Sequence, residues 1–223
     1  MPNEMIRQQN KQTVLSKAMK LFVKNGVENT SFEMIAREAG LSLRSVQNYY
    51  RTKNDLIAAV LDCSVAEELE EMNRFFSSDR YRRKTGAGQV LAIVEVIYSK
   101  AVEMADVIFC AAQMQHILSR ASQNEGNSPL AGNWQTVMDQ LQSAFNKGLR
   151  DGSITRNMEA SLIDARSITL ALYGIREQIA FTMCDETLRE LFRPEIAVQK
   201  YMRQVELLLS AKEDAAVPDL QHE

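Results

Sequence analysis

The sequence predicts an all-α protein, with a small three-helix N-terminal domain followed by a larger helical domain. Four prolines and nine glycines in 223 residues leave long stretches without helix breakers. Those stretches are rich in Ala, Leu, Met, Glu, Gln, Arg and Lys, all of which favour the helix. No run of alternating β-branched residues bounded by turn residues predicts a strand.

The composition is typical of a globular protein, with 45% hydrophobic and 25% charged residues. The first ten residues are polar, and the most apolar stretch, residues 168–175, is too short to span a bilayer. We therefore expect a cytoplasmic protein without a signal peptide or membrane segment. Three cysteines, far apart and odd in number, predict neither a disulfide framework nor a zinc site.

The N-terminal 55 residues predict three short helices before a longer one. Apolar residues at 14, 15, 18, 21 and 22 share one helical face, and Gly26 suits a left-handed cap. Residues 30–33 (TSFE) have the capping-box pattern and open a helix that ends at Gly40. Ser42 can cap a third helix that runs to about Tyr49. Residues 52–55 (TKND) resemble a further capped helix start.

The rest of the chain predicts longer helices after a charged, glycine-containing break at residues 79–88. We expect helices over about 89–122 with an interruption near Asp106, from Pro129 past Phe145, over about 158–183, and from Pro194 to about Ser210, with a turn at 151–153. The predicted domains are residues 1–55 with a motif at about 32–51, residues 56–211, and a disordered tail over 212–223.

Charge is distributed unevenly along the sequence. Residues 1–55 contain nine Lys or Arg and five Asp or Glu, a net charge of +4, whereas the remainder carries −7 of the total of −3. A basic N-terminal domain on an acidic body indicates an anionic partner for the N-terminal domain.

Two short helices joined by a glycine turn at residues 39–42 are what a helix-turn-helix requires. Its second helix would project outward a set of mostly polar residues, namely Leu43, Arg44, Ser45, Gln47 and Asn48. Arg can bond a guanine edge and Asn or Gln an adenine edge through two hydrogen bonds each in the major groove. The motif therefore predicts binding to double-stranded DNA.

Residues 13–57 resemble the DNA-binding domain of the TetR family of bacterial transcriptional regulators. The matching string, residues 18–57, is AMKLFVKNGVENTSFEMIAREAGLSLRSVQNYYRTKNDLI. The body resembles the family in being helical and in the turn KGLRDGSI at 147–154. The chain departs from the family at Arg44, Ser45 and Val46, where small residues and then leucine are common, and at Gln47, where an aromatic is common. These departures make the bases read less predictable.

The resemblance implies a DNA contact set. The residues are Thr30, Ser31, Ser42, Leu43, Arg44, Ser45, Gln47, Asn48, Tyr49 and Lys53. Of these, Thr30, Ser31 and Lys53 would meet phosphate and Tyr49 would pack on the duplex backbone, while the others would enter the major groove.

In the body, residues 56–211, we expect an effector pocket and a dimer interface. An apolar effector pocket would use Met104, Phe109, Met114, Trp134, Met138, Tyr173 and Arg176, although apolar residues at helical spacing are more often core. Arg166 and Arg176 lie ten residues apart in an apolar helix, and could pair across a dimer interface or meet an anionic effector.

A surplus of apolar residues on the last two long helices indicates a partner helix. TetR-like proteins dimerise by pairing these helices into a four-helix bundle. The predicted dimer residues are Leu162, Ile168, Leu172, Val198, Tyr201, Met202, Val205 and Leu209.

The sequence predicts a DNA-binding transcriptional regulator. We expect a homodimeric repressor that binds a palindromic operator and is released by a small-molecule effector. An activator of the same fold and a helical protein-interaction module are alternatives. No catalytic residues, metal site or cofactor are predicted, because no Ser-His-Asp order, metal-ligand spacing, paired-acid motif or glycine-rich phosphate loop stands out and the chain has two histidines.

Overall fold

The computed structural model describes residues 2–121, 130–154 and 165–210, and every regular element within these ranges is an α-helix. This confirms the predicted all-α class. The helices are α1 Pro2–Asn25, α2 Phe32–Ala39, α3 Leu43–Tyr49, α4 Lys53–Ser77, α5 Asp79–Arg82, α6 Gly86–Glu103, α7 Ala105–Ala121, α8 Ala131–Asp151, α9 Ala165–Met183, α10 Glu186–Phe192 and α11 Pro194–Ser210.

Several sequence predictions differ from these bounds. The first helix starts at Pro2, well before the apolar positions that begin at residue 14. Its start was not predicted because its N-terminal part is polar and has no apolar stripe. The predicted interruption near Asp106 lies at Met104 instead. Helix α10 was not predicted, and it buries no residue, so it has no core-facing pattern to detect. Pro129, the predicted helix start near 158 and the tail from 212 lie outside the described residues.

The chain divides into two compact units, one containing residues 1–72 and 104–133, the other residues 73–103 and 134–223. The predicted domain boundary at residue 55 falls inside α4. The assignment of residues 1–55 to DNA binding, and of residues 56–211 to effector binding and dimerisation, stays a prediction. No helix in the described part of the chain is long and apolar enough to cross a membrane. The same residues hold no group of three or more His, Cys, Asp or Glu placed to bind a metal.

The first unit is organised around the packing of α1 on α2 and of α2 on α3. The buried side chains come from one face of each helix and exclude water from the junction, which is the main favourable contribution to folding. They are Val14, Ala18 and Phe22 of α1, Ile35 and Ala36 of α2, and Val46 of α3.

The second unit is organised around α6, which packs on both α9 and α11. Half of its residues are buried, among them Ile93 and Tyr98. The Tyr98 ring meets the Tyr201 ring edge to face with the centroids 5.6 Å apart, which joins α6 to α11.

A glycine contact holds the start of α6 against the end of α8. A Cβ atom on Gly86 would lie 2.0 Å from the backbone nitrogen of Gly148, so only glycine allows this approach. The predicted turn at 151–153 follows directly, with Gly152 at φ +73°. Asp151 accepts hydrogen bonds from the N–H groups of Gly86 and Ser153.

The Asp151 carboxylate also acts on stability. Hydrogen bonding, first from the Ser153 side chain and then from the Gly86 N–H, lowers the pKa of Asp151. Because the pKa of Asp151 is lower in the folded state than in the unfolded state, the ionised carboxylate stabilises the fold. This stabilisation is fully present above the unfolded-state pKa and is lost as the pH falls through the folded-state pKa.

We predict that Gly86→Ala destabilises the protein by about 1–3 kcal/mol or more, because the new Cβ must displace backbone of α8. The measurement is the free energy of unfolding in urea. Gly132→Ala is the matched control, since a Cβ there meets nothing within 4 Å in α8. It should leave stability unchanged or raise it by up to about 1 kcal/mol through helix propensity. Equal effects of the two changes would contradict the proposed contact.

Candidate nucleic-acid interface

The turn between α2 and α3 is fixed by local hydrogen bonds. Gly40 takes the left-handed conformation at φ +67°. The Gly40 N–H donates a hydrogen bond to the Arg37 carbonyl, and the Leu41 N–H donates one to the Ala36 carbonyl. Ser42 then caps α3 by accepting a hydrogen bond from the Ser45 N–H at 3.1 Å. The predicted roles of Gly40 and Ser42 are confirmed.

Burial decides which face of α3 reaches solvent. Val46 is fully buried. Arg44, Gln47 and Asn48 are exposed and lie at i, i+3 and i+4, so they share one face of the helix. No ion pair engages Arg44 within the described residues. Helix α3 therefore presents one guanidinium and two amides side by side.

The small polar residues at the start of α3 are partly engaged with each other. The hydroxyls of Ser42 and Ser45 lie 2.8 Å apart and share a hydrogen bond. Ser42 is exposed, whereas Leu43 and Ser45 are half-buried. A hydroxyl keeps a free acceptor position in such a pair, so both side chains can still meet a ligand at this edge.

The two hydroxyls before α2 have different surroundings. Thr30 is 1% exposed, and its hydroxyl lies within hydrogen-bond distance of the carbonyls of Leu21 and Gly26. Ser31 is exposed and caps α2 by accepting from the Met34 N–H. The cap is thus one residue later than the capping-box pattern predicts, and the burial of Thr30 counts against its predicted phosphate contact.

Tyr49 and Lys53 are placed by contacts with other helices. The half-buried Tyr49 hydroxyl accepts a hydrogen bond from the Asn10 side chain of α1 at 3.5 Å. The Lys53 ammonium donates to the Glu28 carbonyl at 2.8 Å, and burial lowers its pKa. The predicted cap of α4 is confirmed, since Thr52 and Asp55 exchange hydrogen bonds.

Sequence reasoning did not include Arg51 in this surface. It is exposed between α3 and α4, two residues before Lys53. A cation immediately after a recognition helix is the signal that could have identified it, because basic side chains beside a DNA-reading helix serve phosphate contacts.

Three of the predicted effector residues lie together in the second unit. The Trp134 and Tyr173 rings meet edge to face at 5.2 Å, and the Arg176 guanidinium lies 5.8 Å from the centre of the Trp134 ring. Burial, followed by a hydrogen bond to Glu177, raises the pKa of Tyr173. Arg176 is buried. Met138, on α8, is half-buried.

The remaining predicted effector residues belong to the first unit. Met114 is fully buried, Phe109 is half-buried, and Met104 is exposed at the break between α6 and α7.

The predicted dimer residues fall into three groups. Leu172 and Leu209 are buried within the second unit, which counts against a contact with another chain. Leu162 lies outside the described residues. The half-buried residues, open on one side, are Ile168, Val198, Tyr201, Met202 and Val205.

A set of large apolar residues that the sequence analysis did not select is exposed on α9, α10 and α11. They are Leu170 at 72%, Leu191 at 70%, Phe192 at 60%, Phe181 at 45% and Ile196 at 44% exposure. The surplus of apolar positions noted on the helix around 162–179 was the available signal, but periodicity alone did not show which side would face the core.

Comparison with known proteins identifies the N-terminal segment. Residues 14–60 match the model of bacterial regulatory proteins of the tetR family. They contain α2, α3 and most of the core that holds them. No curated protein matches the sequence. The predicted resemblance of residues 13–57 to this family is confirmed.

Solved structures resemble nearly the whole chain at low sequence identity. A bacterial regulatory protein of the tetR family from Rhodococcus RHA1 is 13% identical, with a TM-score of 0.63, 92% of this chain covered and 98% of that chain. A TetR transcription regulator from Haloarcula marismortui is 18% identical, with a TM-score of 0.61 and coverage of 88% and 98%. FadR from Bacillus subtilis, solved with stearoyl-CoA, is 14% identical, with a TM-score of 0.56 and coverage of 91% and 99%. At these identities the likeness shows the fold.

We predict that Thr30→Val lowers the free energy of unfolding by about 1–2 kcal/mol, because it removes a buried hydroxyl that bonds two carbonyls while keeping the side-chain shape. Ser31→Ala, which removes only the exposed cap, should cost about 1 kcal/mol. Chemical denaturation of both variants is the measurement. A Thr30→Val protein as stable as the parent would show that the buried hydroxyl contributes nothing.

Proposed function

We propose that this chain, a tetR-family protein by its residues 14–60, is a homodimeric repressor that binds a palindromic operator in the cytoplasm and releases it when a small molecule binds. The observation that carries the DNA-binding part is the exposed face of α3, where Arg44, Gln47 and Asn48 stand together over the buried Val46. A side chain that reads bases must be both exposed and held in place, and this arrangement provides both.

The proposed contacts follow from exposure and chemistry. Arg44 would bond a guanine edge, and Gln47 or Asn48 an adenine edge. Ser31 and Lys53 would meet phosphates, which position the protein without reading sequence. We add Arg51 to this group and leave Thr30 out, since its hydroxyl is occupied inside the protein.

The exposed apolar residues of α9–α11 support a dimer. Leu170 and Phe181 lie on one exposed face of α9, and Leu191 and Phe192 are exposed at the end of α10. Adjacent large apolar side chains left in water are costly, and covering them with a second copy removes that cost. A two-fold dimer would set two α3 helices about 34–36 Å apart, or a multiple of it, on a near-palindromic site.

Gly174 marks the point at which we propose that two α9 helices cross. It lies on the exposed face between Leu170 and Phe181, and a Cβ there would meet nothing within 4 Å. The packing of its own chain therefore gives no reason for a mid-helix glycine, which costs about 1 kcal/mol relative to alanine. Close approach of a second helix gives one, because the missing side chain lets two backbones come together.

The size pattern around Gly174 fits a two-fold, antiparallel pairing. Positions equally far from Gly174 on the two helices face each other in such a pair. Leu170 would then meet Gln178 of the partner subunit, and Phe181 would meet Ser167 of the partner subunit. Each large apolar side chain thus meets a smaller or flexible one, as interdigitated packing requires.

The effector site is proposed at the Trp134–Tyr173–Arg176 cluster. Two aromatic rings and a buried guanidinium suit a ligand with an apolar or planar body and an anionic group. FadR, of similar fold, is solved with stearoyl-CoA, which supports a small-molecule site in a body of this architecture. The effector would release DNA only through a higher affinity for the conformation whose α3 helices are wrongly spaced.

We predict that Arg44→Ala weakens binding to the operator by about 1–3 kcal/mol while changing binding to a scrambled duplex much less, because a base contact carries specificity. The measurement is fluorescence anisotropy with the DNA immediately upstream of the gene, over a salt series. Arg120→Ala, an exposed arginine of α7 with the same charge change, is the control and should bind as the parent does.

Two results would contradict the proposal, the first for base reading by Arg44 and the second for DNA binding as a whole. An equal loss of affinity for the operator and for the scrambled duplex in Arg44→Ala would show that Arg44 contacts phosphate and does not read a base. Absence of binding to any duplex at low salt would remove the DNA-binding role, since the electrostatic part of binding is strongest there.

We predict that Gly174→Leu converts the dimer to a monomer without unfolding it, because the side chain blocks the helix crossing but fits its own chain and favours the helix. Sedimentation velocity gives the mass and circular dichroism the helix content. Gly132→Leu, the other helical glycine with open space around its Cβ position, is the control and should stay dimeric. A dimeric Gly174→Leu protein would exclude this crossing point.

A further inference from the structure

A polar cleft of about 360 Å³ lies in the second unit, among the end of α4, α5, the start of α6 and α8. Three of its lining residues are cations, Arg82, Lys147 and Arg150, and none is a carboxylate. The chain beyond residue 55 carries a net charge of −7, so a wall with three cations and no acid departs from its surroundings. The cleft shares no residue with the predicted effector set.

Part of the positive charge of the cleft comes from a basic segment of the sequence that lies outside the proposed DNA-binding residues. The segment 79–84 reads DRYRRK, with four cations and one acid. Its acid, Asp79, lies 3.6 Å from Arg83 in an exposed ion pair, which leaves Arg82 to the cleft. Neither Arg82 nor Arg150 forms an ion pair within the residues that the structure describes.

Helix α8 turns one polar face toward the cleft. Gln140, Ser143, Lys147 and Arg150 are spaced by three, four and three residues, which places them on one side of the helix. Leu141, Ala144 and Phe145, on the other side, are buried.

Lys147 is held in position rather than free in solvent. Its ammonium donates to the carbonyl oxygens of Arg82, at 3.0 Å, and of Lys84. An ammonium has three donors, so one remains for a ligand. Asp151, whose carboxylate interacts electrostatically with Lys147, does not line the cleft, and its oxygens accept hydrogen bonds from Gly86 and Ser153.

The opposite wall is equally fixed. Gln89 is buried and donates to the carbonyls of Tyr81 and Arg82. The Tyr81 ring packs against Phe75 and Phe76, with centroids 5.1 and 5.4 Å away. Burial raises the pKa of Tyr81 to about 12, so its hydroxyl stays protonated. The glycine contact between Gly86 and Gly148 sets the distance between the two walls.

We infer that this cleft is a binding site for a compact polyanion, a ligand with a diphosphate or similar group of two or more negative charges. Two guanidiniums supply paired donors that match phosphate oxygens, and the ammonium supplies a fixed point charge. The volume is at the lower end of the range of small-molecule sites, which suits a group of this size. The inference does not depend on DNA binding or on the α9 crossing.

The test is calorimetric titration of the full chain with inorganic pyrophosphate at fixed ionic strength. Arg82→Gln and Arg150→Gln should each weaken binding about tenfold, as expected for the loss of a charge-assisted contact. Ser143→Leu fills the cleft without changing the charge and should weaken binding to a similar extent. Arg120→Gln removes an exposed cation elsewhere and should change affinity by no more than about twofold.

Three results would overturn the inference. The first is the absence of saturable heat when the parent protein is titrated with millimolar pyrophosphate. The second is a loss of affinity in Arg120→Gln as large as in the cleft arginine variants, which would indicate diffuse attraction. The third is unchanged binding by Ser143→Leu, which would place the anion outside the cleft. Unchanged circular dichroism of each variant confirms that these readouts report binding, because the four substituted side chains are exposed.

Discussion

The burial of Val46 is the contact on which the candidate DNA interface depends. A seven-residue helix is too short to be stable by itself, so α3 exists only because it is capped at Ser42 and packed through Val46 against its neighbours. The same contact fixes the rotation of α3 about its axis. Once Val46 points inward, Arg44, Gln47 and Asn48 must point outward together.

Glycine serves two different purposes in this chain. Gly40 supplies a left-handed turn, and Gly86 and Gly148 let two helices approach until a Cβ would overlap backbone. The second case has consequences beyond packing. It fixes the end of α8, and with it Lys147, against the carbonyl ends of α5, so that the walls of the polar cleft are set by backbone contact rather than by flexible side chains.

Exposed apolar surface and buried charge lie on the same unit. Leu170, Phe181 and the end of α10 leave hydrocarbon in water, whereas Arg176 is buried beside Trp134. Exposed hydrocarbon is unfavourable in an isolated chain unless a partner covers it, and in the proposed function a second copy of the chain does so. The Arg176 guanidinium already has contacts within its own chain, and the proposed effector would bind beside it.

Local patterns in the sequence predicted the class of fold and the helix-turn-helix, because these depend on apolar spacing over a few turns, caps at Ser42 and Thr52, and glycines where the backbone turns left-handed. The family followed from the resemblance of residues 13–57 to a known DNA-binding domain. The sequence also identified Arg44, Gln47 and Asn48 as outward residues of α3, since one helical face follows from one buried position. Leu43 and Ser45, which were predicted to project outward as well, are half-buried. Thr30 shows the limit of that reasoning, because a hydroxyl before a helix suits both a cap and an internal bond, and only the position of the Leu21 carbonyl decided between them.

Which apolar faces are covered depends on contacts between distant parts of the chain. The helix around 162–179 is apolar on more than one side and the last helix carries one apolar stripe, so neither pattern could show that Leu172 and Leu209 are buried while Leu170 and Phe181 are exposed. Helix α10 and the polar cleft were likewise invisible, since α10 buries nothing and the cleft joins residues up to 77 positions apart. The physical reason is that a helix records its own periodicity in its sequence but not the identity of the surface against which each face packs.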